Sequence, residues 1–138
     1  MKFSRGLAVA AAVFLPIAET IRRWHQLADI TIWPAWLDDW FIGLFLLYGW
    51  WRTRHDVDGG RPALAAGWGF ACAMGYMSFF GQLMELDRGD PSGLPAANIV
   101  VLKGVMLVIA LVALVLTLSA PAQARPSNFP GVTSERRS

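Results

Sequence analysis

Charge is scarce in this sequence. Asp, Glu, Lys and Arg make up 16% of its 138 residues, where a soluble domain carries about 25%. Apolar residues make up 55%, and a chain this short has too much surface to hide so many of them in a core. The missing charge therefore points to lipid. Cysteine is almost absent. Cys72 stands alone inside an apolar run, which excludes an internal disulfide and a cysteine-based metal cluster and reads as a small buried side chain rather than a reactive thiol. The two histidines, His25 and His55, fall at opposite ends of the expected bundle, so they cannot converge on one haem iron. With no H-E-x-x-H pattern or Cys/His cluster, no metal and no cofactor are expected. There is no basic stripe with interleaved aromatics, which excludes nucleic acid as a partner, and no strand alternation, which excludes a membrane barrel. No nucleophile stands beside a base, so no catalytic residue is assigned and an enzyme is not expected.

What the sequence does have is four apolar segments, each long enough to cross about 30 Å of hydrocarbon at about 1.5 Å per residue. Their cores run from Phe3 to Ile21, Pro34 to Trp51, Pro62 to Leu83 and Pro95 to Ser119. With flanking turns the helices are expected at about 3–28, 34–53, 62–85 and 95–119, forming one transmembrane domain over 1–119. Three segments begin at proline, which suits a first helical turn because its missing N–H would be unpaired there anyway. The stretches Asp58-Gly59-Gly60-Arg61 and Asp90-Pro91-Ser92-Gly93 read as turns before the third and fourth helices. Short connections favour antiparallel neighbours. The expected fold is an all-α, integral membrane, up-down-up-down four-helix bundle. Pro16 lies inside the first helix, where it leaves the Ala12 carbonyl without its usual donor and predicts a kink. The first segment also resembles a signal peptide, with Lys2 and Arg5 before Leu7–Leu15, but Pro16-Ile17-Ala18 is a poor cleavage site, so retention is expected. Residues 120–138 are rich in proline and small polar residues and are expected to form a disordered tail.

Basic residues set the expected orientation. Lys2, Arg5, Arg52, Arg54, Arg61, Arg125, Arg136 and Arg137 would share one side, against Arg22, Arg23 and Arg88 on the other, with Lys103 just inside the fourth helix. The richer side is expected to be cytoplasmic, placing both termini inside a bacterial-type inner membrane. Trp24, Trp33, Trp36 and Trp40 flank the first external connection, and Tyr48, Trp50 and Trp51 mark the opposite boundary. Both sets suit headgroup-level aromatic belts.

The acids collect on the external side. Glu19 has Arg22 and Arg23 three and four residues on, within pairing reach, and a continued helix would add His25 and Asp29 to the Arg22 face. Asp38 and Asp39 lie about one turn into the second helix and project about 100° apart. Lys103 lies roughly two turns into the fourth, where a charge costs about 2.5–3.5 kcal/mol at mid-membrane. Its stem either snorkels to the headgroups or faces the bundle. Glu19, Arg22, Arg23, Asp38, Asp39, Glu85 and Lys103 are the candidate lining of an external polar pocket; the competing reading is an ion-pair network that fixes helix order.

Small residues mark the third helix. Gly67, Ala71 and Gly75 repeat every fourth position, a spacing that lets backbones approach. The stripe serves either packing within the chain or a homodimer. The chain is similar in size and helix count to the small multidrug transporters and the membrane-associated glutathione transferases. Glu19 is terminal rather than central in its helix, and the Arg/Asn/Glu pattern of the second group is not found, so neither likeness carries a function. The expected role is a non-enzymatic structural or accessory membrane protein. The alternative is a small oligomeric transporter or a ligand- or lipid-headgroup-binding protein using the external pocket.

Overall fold

A computed structural model describes residues 1–88 and 93–121. The chain forms four long helices: α1 Lys2–Arg23, α2 Trp33–His55, α3 Val57–Met84 and α4 Ala96–Leu118. Among the described residues there is no strand. Most of the expected tail and the residues Asp90, Pro91 and Ser92 lie outside the described residues.

Each helix runs antiparallel to the next. On α1 and α2, Ala12 and Pro16 meet Gly43 while Thr20 meets Trp36. On α2 and α3, Phe45 meets Gly67 and Gly49 meets Leu64. On α3 and α4, Gly75 meets Leu107 and Phe79 meets Gly104. The start of α1 closes against the end of α4 through Ser4 and Thr117.

The core is narrow and built largely from small side chains. Ala8, Ala12, Ala71, Ala110 and Ala113 are buried with Ile42, Leu46, Leu64 and Trp68. The outside is apolar. Along α4, Val101, Val105, Val108, Val115 and Leu118 are all more than half exposed. An apolar exterior around a small-residue core suits helices that meet in lipid. Three helical stretches, Lys2–Gln26, α3 and α4, are long and apolar enough to cross a membrane. α2 is not among them, because tryptophans and the Asp38–Asp39 pair dilute its apolar content.

Two boundaries differ from the sequence reading. α1 stops at Arg23 and passes into a 3-10 turn over Trp24–Gln26, so Asp29 is not on the Arg22 face. Asp29 instead caps a second 3-10 turn, accepting from the Thr31 N–H at 2.9 Å and the Thr31 hydroxyl at 2.7 Å. α3 begins at Val57, not Pro62, and the expected turn at Asp58–Arg61 is helical. The reason is Asp56, whose side chain accepts from the Gly59 N–H at 3.0 Å in the manner of an N-cap. One residue, Asp56, therefore joins α2 to α3.

That tight hairpin depends on glycine. A Cβ at Gly49 would lie 2.6 Å from the Leu64 Cα, and one at Gly60 would run into the Arg52 and Thr53 backbone. The backbones touch because nothing stands between them. Gly67 and Ala71 are buried inside the bundle, with Gly67 against the Phe45 carbonyl and Gly75 against Leu107. The Gly67, Ala71 and Gly75 stripe thus packs against α2 and α4 within the chain.

Candidate functional site

Glu19 sits near the end of α1, one turn past the proline. Pro16 removes the donor to the Ala12 carbonyl, and that carbonyl faces Gly43 of α2, where an added Cβ would approach it to 2.9 Å. Thr20 bonds back to the Pro16 carbonyl at 2.6 Å and accepts from the Trp36 indole at 2.9 Å. Trp36 thereby ties α2 to the end of α1 beyond Pro16.

Within this corner Glu19 is clamped. Arg22 meets it with a two-bond fork at 2.8 and 2.7 Å, and Arg23 bonds the same carboxylate. The three side chains are 13–22% exposed. Asp39 of α2 lies close enough to feel the Glu19 carboxylate and both guanidinium groups, with Asp38 next to it. Both aspartates are half-buried.

Lys103 lies with the other helix pair. Its ammonium donates to the Gln82 side-chain oxygen at 3.0 Å and toward the Ser78 carbonyl at 3.4 Å. Lys103 thus turns to α3. Glu85, one turn beyond Gln82, is the exposed C-cap of α3. Among the described residues, the hydrogen bonds and charge contacts gather the seven candidates at two places. Glu19, Arg22, Arg23, Asp38 and Asp39 join the end of α1 to the start of α2, while Lys103 and Glu85 belong to the α3–α4 junction.

No family model, curated protein or solved structure matches the chain.

A second polar cluster was not foreseen. At the opposite end of the bundle, Ser4, Thr117 and Trp68 are at most 2% exposed. The Trp68 indole donates to the Ser4 hydroxyl at 3.0 Å. The Ser4 and Thr117 hydroxyls are hydrogen-bonded at 2.6 Å, and Thr117 donates to the Ala113 carbonyl at 2.7 Å. One proton per hydroxyl satisfies the whole chain if Ser4 donates to Thr117. The knot joins α1, α3 and α4. A single Ser or Thr in an apolar run gives little warning of this, because it also bonds its own helix backbone.

The tryptophans divide accordingly. Trp24, Trp33, Trp40 and Trp51 are 43–67% exposed. Trp33 donates to the Leu27 carbonyl at 3.1 Å, and Trp50 carries Arg54 over its ring at 5.5 Å. Trp68 is the exception, a core residue.

Proposed function

We propose that this chain is a non-enzymatic structural or accessory protein that crosses a bacterial-type inner membrane four times, with both termini cytoplasmic. The crossing of α2 follows from its neighbours. It packs antiparallel between α1 and α3 along their apolar lengths, so if those two cross, α2 crosses with them. The basic residues of the α1 start, the α2 end and the α3 start gather at one end of the bundle, which supports a cytoplasmic assignment for that end.

The observation that carries the structural role is that the costly charges are met by near neighbours. Glu19 is neutralised on its own helix, and Lys103 is bonded across to α3. Such contacts fix helix order and rotation. Substituting Glu19→Gln and Lys103→Gln tests this. Both variants are expected to insert and to melt at lower temperature than the parent, with no other loss. Normal melting together with a lost cellular activity would show a functional rather than structural cluster. Single cysteines placed at Ala28 and His55 in a Cys72→Ala background test the orientation. Ala28 should label from outside and His55 only after the membrane is opened.

Asp39 favours the second reading, an oligomeric transporter or headgroup binder. Its carboxylate is half-buried beside Glu19 and makes no side-chain hydrogen bond among the described residues. If Asp39→Asn abolishes an activity and leaves stability intact, this reading replaces the first.

A further inference from the structure

The end of the bundle opposite the Glu19 corner holds a cavity of about 570 Å³ between the start of α1, the start of α3 and the end of α4. Lys2 and Arg5 line it on one side, and Val57, Leu116 and Pro121 on the others. No acidic side chain lines it among the described residues. Next to the lining residue Pro121, Arg61 donates to its carbonyl at 2.8 Å and toward Asp58 at 3.4 Å. The Nε atoms of Arg5 and Arg61 are buried and have no hydrogen-bond partner among the described residues. A buried guanidinium N–H without an acceptor is costly, and the cheapest remedy is an anion. α1 has no acid in its first turn and no side-chain cap, so its leading N–H groups favour negative charge too.

The walls decide which anion. More than half of the lining named above is apolar and continues into the exposed hydrocarbon face of α4. A cation-rich recess that opens onto acyl-chain level matches a phosphodiester with glycerol and chains attached, and its volume falls in the usual range for small-ligand sites. Basic recesses between membrane helices at the cytoplasmic face take such headgroups. We infer that this cavity binds the headgroup of an anionic phospholipid, with Lys2 and Arg5 on the phosphate. The inference rests on the membrane reading but not on any role for the Glu19 corner.

The test uses the full chain reconstituted in phosphatidylcholine bilayers with spin-labelled phosphatidylglycerol or phosphatidylcholine. The motionally restricted lipid fraction is read by electron paramagnetic resonance. The parent should select phosphatidylglycerol, and Lys2→Gln and Arg5→Gln should each lower the selectivity by up to about fivefold, the value of one cation near an anionic surface. Arg54→Gln, exposed at the same end but outside the cavity, should leave it unchanged. Inorganic phosphate at matched ionic strength should not displace the lipid. Equal selectivity in the parent and Lys2→Gln overturns the site. So does an Arg54→Gln loss as large as the Lys2→Gln loss, which would mean diffuse surface charge. Displacement by inorganic phosphate overturns the lipid assignment. Lys2 is exposed, so its variant decides the matter even if Arg5→Gln does not fold. A chain that fails to reconstitute overturns this inference and the membrane reading together; one that reconstitutes without selectivity overturns this inference alone.

Discussion

Replacing Gly49 by alanine should separate α2 from α3. The new Cβ would lie 2.6 Å from the Leu64 Cα and 2.9 Å from its backbone nitrogen, where ordinary contact begins at 3.4 Å. The obstacle is backbone, so no rotamer change relieves it, and the helices must part by about 0.8 Å (3.4 less 2.6) at that point. Overpacking of this kind costs about 1–3 kcal/mol. Helix propensity returns up to about 1 kcal/mol on going from Gly to Ala. With that offset the net expectation is a loss of up to about 2 kcal/mol, a factor of up to roughly 30 in the folding equilibrium. Gly69 provides the internal control, since a Cβ there meets nothing within 4 Å and Gly69→Ala should be neutral or slightly stabilising. The assay is reversible unfolding in mixed micelles, followed by circular dichroism and by total tryptophan fluorescence. If Gly49→Ala and Gly69→Ala unfold alike, the direct backbone contact between α2 and α3 is wrong.

Three further outcomes follow from the same geometry. Ser4→Ala leaves the Trp68 indole buried without its acceptor and should cost about 1–3 kcal/mol, while the Ser4→Ala, Trp68→Phe pair should recover the hydrogen-bond part of that loss in a double-mutant cycle. Asp56→Ala removes the α3 cap, at about 1 kcal/mol, and should raise amide exchange at Gly59 and Gly60 while leaving the helix beyond Pro62 protected. Asp29 lies outside the long helices, and the Thr31 hydroxyl and N–H hold its carboxyl below its ordinary value of 3.8. A depressed folded value means the turn is supported above the ordinary value and loses that support as pH falls through the folded one. Thr31 amide protection should therefore fall in acid, and Asp29→Asn, which still offers an oxygen, should flatten the dependence.

The four helices were legible because their apolar runs are long and polar residues or turn residues separate them. The start of α3 was misplaced because Pro62 and Gly59-Gly60 are loud turn signals, whereas the cap at Asp56 works through a single side chain. Pairing of Glu19 with Arg22 and Arg23 was readable, being a matter of three- and four-residue spacing on one helix. The Ser4–Trp68–Thr117 knot was not, since it joins residues 64 and 113 positions apart and nothing local marks them. The two-part arrangement of the polar residues was hidden for the same reason. Sequence gives the side chains at one end of a bundle, and only packing says which helices share a corner.

On the proposed membrane reading, the one-residue connection at Asp56 bears on how the protein would enter a bilayer. Asp38 and Asp39 would each cost up to about 2.5–3.5 kcal/mol at mid-membrane, less near a helix end. α2 alone is thus a poor candidate for insertion. Joined to α3 by one residue and in backbone contact with it at Gly49 and Gly60, it need not enter alone. The apolar helix that follows can draw the polar one in as a preassembled hairpin, so the commitment of α2 to the membrane would wait until α3 has been made.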